Sequence, residues 1–541
     1  MSTLEFTVKT KSLIDGLKRV CADYGLGNDG NEFKIITQVF LYKFLNDKFA
    51  HQVKAVDPKL AKSDNWEKTI SAYNTKEYDM LLLKLGAKTA KLDREHFLSY
   101  LASKQNSEEF AKLFDDTLRD IAIKNNEIFS VKTSSGVKVK LFDELSQYIH
   151  DPSKRDDFCR ALVNQLVDFS FERTFDEKFD FFSTIFEYLI KDYNKDGGGK
   201  YAEYYTPHAV AKIMASVLVN EKVSNVTIYD PSAGSGTLLM NLAHAIGEDR
   251  CTIYSQDISQ KSSSLLRLNL ILNDLVHSIQ NVVVDNTILM PAHKVDNKLR
   301  TFEYVVSNPP FKLDFSDFRD KLDTPANKDR FFAGIPKITP KSPEKMAIYL
   351  LFIQHIMFSL SATGKAAVVV PTGFLTAQKG IEFNIRERMV KEKMLHGVVS
   401  MPSNIFATTG TNVSIIFLDK TNKKGNVVLM DASKLGETIK DGKNNKTLLS
   451  RGDEQLIIKT FNEHKAIEDF SAVVSYSDLL EKGCSFSAGQ YFDVKIEHID
   501  ITQEEFDSKI KSFSKSIDGL FEESAVLENE IKKQLAKLKY D

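Results

Sequence analysis

The chain has 541 residues, 42% of them hydrophobic, which is long enough for two or three domains around a large core. Its 72 Lys and Arg residues nearly balance 74 Asp and Glu residues and leave a formal net charge of −2. A protein that binds nucleic acid by itself is often strongly basic. The balance therefore excludes a uniformly basic surface, and any contact with nucleic acid must be local or shared with a partner.

Cysteines and apolar runs exclude further classes of protein. Cys21, Cys159, Cys251 and Cys484 are scattered without the spacing of a zinc site or a disulfide framework, so we expect no bound metal. This pattern fits a reducing compartment, and we expect a cytoplasmic protein. No apolar run approaches the ~20 residues that span a bilayer. Residues 1–11 are polar and lack the apolar core of a signal peptide, so no membrane contact is expected.

Residues 1–170 are predicted to form an N-terminal helical domain that supports the rest of the chain, and a direct catalytic role of this domain is the alternative. Polar and glycine-rich clusters, such as residues 27–30, separate its apolar segments. Apolar residues recur at helical spacing in residues 35–45, 78–85, 110–123 and 158–169.

Residues 171–475 alternate between short apolar runs and amphipathic segments, which predicts an α/β domain with a doubly wound, Rossmann-like sheet. Three consecutive glycines at 197–199 end a preceding helix and form a hinge. Helices are expected at residues 208–219, 262–275 and 346–360. Strands are expected at residues 226–229, 251–254, 281–284, 304–306, 366–370, 396–399 and 413–418.

The loop after the first of these strands contains two glycines, Gly234 and Gly236, which allow a tight turn and a close approach to a ligand. The helix that follows favours an anionic group at its N-terminus. The third glycine of a dinucleotide site and the Lys-Ser/Thr pair of a phosphate loop are both missing. The next strand ends near Asp257, where an acidic residue binds ribose hydroxyls. A nucleoside cofactor without a pyrophosphate fits, and we predict S-adenosylmethionine.

A compact acceptor motif follows the strand at 304–306. Pro309 and Pro310 lack N–H donors and hold a rigid turn, Asn308 adds an amide oxygen, and Phe311 adds a flat face. Two acceptors that bind the hydrogens of a nucleobase amine pull its nitrogen toward tetrahedral geometry and release its lone pair for attack on a methyl group. Taken alone, the motif is equally well a plain turn with a buried phenylalanine. The cofactor loop upstream favours the chemical interpretation.

Residues 230–239, Asp257 and residues 308–311 resemble the cofactor and catalytic motifs of the amino-methylating DNA methyltransferases. Residues 199–201, 204–207, 285–288 and 364–371 more closely resemble the modification subunit of type I restriction-modification systems. The resemblance covers roughly residues 170–435. It implies methylation of adenine N6 in double-stranded DNA, with the base flipped out of the duplex. It also implies three partners: a specificity subunit, a second copy of this chain and a restriction subunit with helicase and nuclease activity.

The resemblance also assigns roles to residues. It makes Thr206 a contact to the amino-acid part of the cofactor, and the alternative is that Thr206 is only a helix N-cap. It places an acid or amide against the cofactor's adenine, and both Asp285 and Asn286 stand at that point. The catalytic residues are then Asn308, Pro309, Pro310 and Phe311. The cofactor-binding residues are Tyr205, Thr206, Pro207, Asp230, Ser232, Gly234, Ser235, Gly236, Thr237, Asp257, Ile258, Asp285 and Asn286.

Residues 312–345 form a long, charged connection directly after the acceptor motif. Connections of this length in a compact domain are commonly functional, and we expect a flap over the substrate. Phe331 and Phe332 either contact DNA or pack against the core.

Residues 476–541 are predicted to contain a linker and a helix that docks on a partner. Ser524 and Gln534 interrupt an apolar seam with the alternating four-three spacing of a coiled coil. The alternative is that the helix packs on the N-terminal domain. The seam consists of Phe506, Ile510, Phe513, Ile517, Leu520, Leu527, Ile531 and Leu538.

Other functions remain as alternatives to adenine methylation. Cytosine N4, a protein glutamine or ribosomal RNA can accept a methyl group at a similar motif, but enzymes of the last two kinds are usually shorter. A non-catalytic scaffold subunit is a further alternative. The intact Asp230, Gly234, Gly236 and Asn308 argue against a scaffold.

Overall fold

The structure is a computed structural model, and it describes residues 3–27, 30–86, 88–133, 135–172, 175, 188, 206–406, 412–423, 425–441, 444–492 and 502–536. The glycine hinge at 197–199 and Tyr205 lie outside the described residues. The chain divides into two compact units, Met1–Phe492 and Asp493–Asp541. The predicted boundaries near residues 170 and 475 fall inside the first unit and stay a prediction.

The N-terminal part of the chain is mainly helical, and the predicted helices there are confirmed. Helix α2 is buried on most of its surface because its apolar residues continue around the helix, which suits a central position. The ring of Phe171 contacts Phe40 and Phe44 edge-on, with centroids 5.1 Å and 5.4 Å apart. The helices are α1 (Thr3–Asp23), α2 (Gly30–Val56), α3 (Pro58–Ala61), α4 (Trp66–Ser71), α5 (Thr75–Lys84), α6 (Leu98–Ser103), α7 (Phe110–Lys124), α8 (Asn126–Phe129) and α9 (Arg155–Val167).

The predicted strands are confirmed, and they belong to one large sheet. They are continuous apolar runs because both faces of the sheet are covered. The strands of the chain are β1 (Val131–Thr133), β2 (Lys138–Val139), β3 (Val226–Asp230), β4 (Cys251–Asp257), β5 (Val282–Val284), β6 (Lys294–Val295), β7 (Lys298–Leu299), β8 (Phe302–Ser307), β9 (Leu360–Pro371), β10 (Leu395–Ser400), β11 (Val413–Asp419), β12 (Val427–Asp431), β13 (Glu437–Asp441), β14 (Asn444–Leu448) and β15 (Ser471–Val474).

Among the described residues the large sheet has the order β15-β12-β10-β11-β9-β8-β3-β4-β5-β1-β2. The strands β9, β8, β3, β4 and β5 run parallel to one another. The chain proceeds from β3 to β4 and β5 on one side, and the later strands β8 and β9 lie on the other side. The order therefore reverses between β3 and β8, and ligands bind at such a point in doubly wound sheets.

Helices pack on both faces of this sheet, as the alternating pattern predicts. The helix expected at 208–219 is found as α10 (His208–Leu218), which packs on α11 (Thr237–Ile246). The helices expected at 262–275 and 346–360 are found as α12 (Gln260–Leu272) and α14 (Tyr349–Ser359). The remaining helices of the unit are α13 (Ser316–Leu322), α15 (Ile381–Lys391), α16 (Arg451–Asn462) and α17 (Tyr476–Glu481).

One strand of the sheet comes from the N-terminal part of the chain. Strand β1 pairs in parallel with β5, so that Lys132 lies opposite Val283. Three residues are too few to show the alternation that identifies a strand from sequence, and β1 was therefore not predicted. The pairing fixes the helical N-terminal part against the edge of the sheet on the β5 side.

The second unit contains the helix α18 (Gln503–Leu535). It begins with a capping box in which the Thr502 hydroxyl accepts from the Glu505 N–H and the Glu505 carboxylate accepts from the Thr502 N–H. The seven described seam residues, from Phe506 to Ile531, are 48–63% exposed. Among the described helices, none combines the length and the apolar character needed to cross a bilayer.

Candidate functional site

The site lies at the carboxyl ends of β3, β4, β5 and β8. Asp230 ends β3 and Ser307 ends β8. A bridge of hydroxyl groups joins them, because Ser232 Oγ lies 2.6 Å from Ser307 Oγ. The Ser232 N–H donates to Asp230 Oδ1 at 2.9 Å and closes the first turn of the loop. The structure thus brings the end of the predicted cofactor strand beside the start of the acceptor motif.

The two glycines of the loop adopt backbone conformations that favour glycine. Gly234 has φ +52° and Gly236 has φ +88°. A Cβ on Gly236 would lie 2.3 Å from Leu266 Cδ1 on α12, so the loop packs closely on that helix. The side-chain amide of Asn269 donates to the Ser235 carbonyl at 2.8 Å. These contacts hold the loop where α11 begins at Thr237.

Asp257 fixes the same loop from the end of β4. Its Oδ2 accepts from the Gly234 N–H at 2.8 Å, and its Oδ1 accepts from the Ser259 N–H at 2.8 Å. An ionised carboxylate has about four acceptor positions, so both oxygens keep capacity for hydroxyl donors. The next residue, Ile258, is 68% exposed and presents an apolar side chain beside the carboxylate.

Two acids determine the electrostatics of the site, and no basic side chain of the described residues pairs with them. Burial raises the pKa of the Asp230 carboxyl to about 8, and the neighbouring charge of Asp257 adds to the shift. Burial also raises the pKa of Asp257. In the described part of the chain neither carboxylate forms an ion pair. Such a site disfavours an anionic phosphate and favours a ligand that carries positive charge.

The loop after β5 places Asp285 and Asn286 next to Asp257. The Asp285 N–H donates to the Asp257 carbonyl at 3.0 Å. Asn286 Oδ1 accepts from the N–H groups of Ile288 and Leu289, at 3.0 Å and 3.1 Å. The oxygen of Asn286 therefore closes a turn of its own loop, as asparagine commonly does.

The acceptor motif is held from the side of α10. The Asn308 side-chain amide donates from Nδ2 to Thr206 Oγ1 at 3.2 Å, and Thr206 is buried. No donor in the described part of the chain reaches Asn308 Oδ1, which stays available as an acceptor. Pro207 is the N-cap residue of α10, so the interpretation of Thr206 as a plain N-cap is wrong. The hydroxyl instead orients the Asn308 amide.

The rest of the motif is packed but not fully covered. Pro309 is buried, whereas Pro310 and Phe311 are half-buried. The Phe311 ring meets Tyr349 edge-on, with centroids 6.2 Å apart and the planes 76° apart. An edge-on contact leaves a face of Phe311 for a stacking partner.

The connection from 312 to 345 carries its own small core. Phe331 is buried with Phe315, Leu322 and Ile288, so the second of its two alternatives, packing on the core, is confirmed. Phe332 is partly buried, and the Arg388 guanidinium lies 4.0 Å from the centre of its ring. Phe331 thus packs on the core, whereas both alternatives stay a prediction for Phe332.

Asn269, Arg330 and His355 were not singled out from the sequence. Asn269 is a lone amide within the apolar segment of α12, and that pattern could have identified it. Thr287 Oγ1 donates to the Pro231 carbonyl at 2.6 Å and joins the loops after β5 and β3. Arg330 contacts His355 and the carbonyl of Thr287 on the far side of these loops. No local pattern in the sequence identifies these contacts.

The fold and the site together define a doubly wound methyltransferase. The family model for N-6 DNA methylases matches residues 177–499, and the chain belongs to this family. The methyltransferase subunit of a type I restriction-modification system from Streptococcus thermophilus has the same fold, with a TM-score of 0.69 and 20% identity over 91% of this chain and 100% of that chain.

Curated relatives agree with this family. The methylase subunit of the type I restriction enzyme MpnII from Mycoplasma pneumoniae is 28% identical over 370 residues, 67% of this chain and 65% of that protein. The methylase subunit of the type I restriction enzyme MjaIX from Methanocaldococcus jannaschii is 27% identical over 405 residues, 72% of this chain and 68% of that protein. The matched region thus spans about two thirds of the length of each relative.

The raised pKa of Asp230 predicts a pH-dependent contribution to stability. Between the ordinary pKa of 3.8 and the folded value of about 8, the folded protein holds a proton that the unfolded chain has released. The contribution of Asp230 therefore falls as the pH rises through this range. Asp230→Asn keeps the acceptor for Ser232 and cannot ionise. Without ligand, the melting temperature of the variant minus that of the wild type should increase from pH 5 to pH 8. A difference that does not change with pH would contradict the burial of an acid here.

Proposed function

We propose that this protein transfers a methyl group from S-adenosylmethionine to N6 of adenine in double-stranded DNA, as the modification subunit of a type I restriction-modification complex. The observation that carries the proposal is the position of the acceptor motif, 308–311. It follows β8 directly, at the point where the strand order reverses beside β3. Membership of the N-6 DNA methylase family supports the same chemistry.

The residues of the loops fit S-adenosylmethionine. Asp257 has acceptor capacity for the ribose hydroxyls, and the backbone N–H groups at the start of α11, near Ser235 and Thr237, suit the carboxylate of the amino-acid part. Asp230 and Asp257 compensate the positive charges of its ammonium and sulfonium groups. The cofactor supplies an electrophilic methyl group.

The roles near the cofactor's adenine follow from the hydrogen bonds already made. The single side-chain oxygen of Asn286 accepts two N–H groups of its own turn. Asp285 Oδ1 accepts one, from the Asn286 N–H at 2.6 Å, and a carboxylate has a second oxygen, so we assign the contact to the adenine amine to Asp285. Ile258 is exposed and apolar, which suits packing against the adenine face. We place Ser232, Tyr205 and Pro207 around the amino-acid part. We place Thr206 beside them, where its hydroxyl orients the side-chain amide of Asn308.

The acceptor motif is proposed to bind the target amine. Asn308 Oδ1 and the Pro309 carbonyl accept the two hydrogens, and Pro310 keeps the turn rigid. Adenine must leave the duplex to reach this turn, and the half-buried face of Phe311 offers a surface for stacking. Alignment of the amine with the methyl group accounts for the rate. No strong general base is required, because the amine loses its proton after the attack.

Recognition of DNA is proposed to depend on partners. A net charge of −2 does not suit a chain that neutralises duplex phosphates alone. We propose that two copies of this chain assemble on one specificity subunit, and that a restriction subunit joins the full complex. The exposed seam of α18 is the proposed docking surface. Packing of the seam on the N-terminal domain remains the alternative.

The first prediction concerns the cofactor loop. Gly234→Val introduces a branched side chain at φ +52°, a conformation that β-branched residues avoid. It should abolish binding of labelled S-adenosylmethionine. Gly489→Val is the matched control, because a Cβ at Gly489 meets nothing within 4 Å. A folded Gly234→Val variant with wild-type affinity for S-adenosylmethionine would contradict the cofactor assignment.

A second prediction separates chemistry from binding. Asn308→Ala should bind S-adenosylmethionine normally but lose about 10²–10³ in the rate of methyl transfer, because the target amine loses a preorganised acceptor. Thr206→Val should reduce the rate by less, and Thr206→Ser should restore it, because only the serine keeps the hydroxyl. Single-turnover transfer to DNA measures these rates. Equal rates in Asn308→Ala and wild type would remove Asn308 from the mechanism.

A third prediction concerns assembly. Phe513→Gln with Ile517→Gln keeps the helix but weakens the apolar seam, so co-purification with a specificity subunit should be lost while cofactor binding is retained. Lys511→Gln with Lys515→Gln changes residues off the seam and is the matched control. Deletion of residues 502–541 should reproduce the seam variant. A truncated chain that still assembles and methylates specifically would show that the seam is not the docking surface.

A further inference from the structure

Arg330 is a buried guanidinium that contacts no acid in the described part of the chain. It belongs to the connection after the acceptor motif and is 3% exposed. Its Nη1 donates to the Ile288 carbonyl at 2.8 Å, and its Nη2 donates to the Thr287 carbonyl at 2.9 Å. Its Nε donates to His355 Nδ1 at 3.1 Å. Among the described residues it forms no ion pair, so carbonyls and an imidazole alone satisfy a buried cation.

The contact with Arg330 fixes the protonation of His355. Because the guanidinium can only donate, Nδ1 must accept, and the ring proton lies on Nε2. His355 Nε2 then donates to the hydroxyl of Tyr229, 3.1 Å away. Burial and the charge of Arg330 hold the pKa of His355 well below its ordinary value, so the ring stays neutral. Tyr229 directly precedes Asp230 in β3.

These contacts close a ring behind the site. Tyr229 in β3 contacts His355 in α14, His355 contacts Arg330, and Arg330 contacts the turn after β5. Thr287 in that turn donates to the Pro231 carbonyl at 2.6 Å, one residue after Asp230. The ring therefore connects the loops after β3 and β5 with the connection that follows the acceptor motif.

A second buried guanidinium shows what an arginine does away from the site. Arg386 in α15 is fully buried and donates to the carbonyls of Phe374, Ala377 and Cys484. It cross-links the turn after β9 to the segment after α17 and contacts neither loop of the cofactor site. The two arginines are thus alike in burial and in the number of hydrogen bonds, and they differ in what they hold.

We propose that Arg330 is a positioning residue for the cofactor: it holds the turn after β5 in the shape that presents Asp285 to the cofactor's adenine. The proposal rests on the proposed function. The planar fork of a guanidinium reaches two carbonyls and an imidazole together, which the ammonium of lysine cannot do. Without Arg330 the turn loses both carbonyl contacts and must be ordered when the cofactor binds. Affinity for the cofactor then falls, whereas Asn308 and Thr206 keep their geometry because they lie outside the ring.

The test compares Arg330→Met with Arg386→Met, which removes a matched set of hydrogen bonds elsewhere. Arg330→Met should raise the KM and the Kd for S-adenosylmethionine at least about tenfold, with kcat at saturating cofactor within about threefold of wild type. Arg330→Lys should recover only part of the loss. Arg386→Met should lower the melting temperature about as much as Arg330→Met does, but it should leave the Kd for S-adenosylmethionine unchanged.

Thr287→Val provides a milder variant if Arg330→Met does not fold. It keeps the volume of the side chain and removes the bond to Pro231, so the Kd should rise in the same direction by a smaller factor. Wild-type cofactor affinity in folded Arg330→Met, or in Thr287→Val if that is the variant measured, would overturn the proposal. An equal rise in Arg386→Met would also overturn it, because the effect would then be one of general stability. A wild-type protein that binds no S-adenosylmethionine would instead refute the proposed function, and with it this role of Arg330.

Discussion

The chain leaves strands β3 and β8 in opposite directions, and the opening between their carboxyl ends determines where every other part of the site lies. Because the strand order is β9-β8-β3-β4-β5, the loops after β3, β4 and β5 lie on one side of this opening. The acceptor motif after β8 falls on the other. The bridge from Ser232 to Ser307 joins the two sides directly at 2.6 Å. A methyl donor on one side and an amine on the other would therefore meet at the opening.

A second constraint is the charge of the opening. Asp230 is 1% exposed, and no basic side chain of the described residues pairs with it or with Asp257. Two acids that are close together and shielded from water cannot both ionise easily without a compensating charge. A phosphate would add to the repulsion, whereas a ligand with sulfonium and ammonium groups would relieve it. Glycine loops of this kind bind phosphates in other folds. Here Asp230 and Asp257 make the loop more suitable for a nucleoside that carries positive charge.

Much of the fold and of the candidate site could be predicted from the sequence, because both depend on local patterns. The strands are continuous apolar runs, and Asp230, Asp257 and Asn308 are polar residues at the points where those runs end. Contacts between distant segments could not be predicted. Thr206 meets Asn308 from 102 positions away, and Arg330 meets the turn after β5 from 42 positions away. Strand β1 of the sheet was not predicted, because three residues are too few to show a strand pattern.

The central claim is that the acceptor motif methylates N6 of adenine in DNA, and the identity of the methylated nucleoside tests it most directly. The protein, together with a candidate specificity subunit, would be incubated with S-adenosylmethionine that is isotopically labelled in its methyl group and with DNA, RNA and protein substrates. Digestion and mass spectrometry would then locate the label. The account predicts labelled N6-methyl-2′-deoxyadenosine, released from the DNA alone. Label in N4-methylcytosine, in RNA or in a protein glutamine would contradict it.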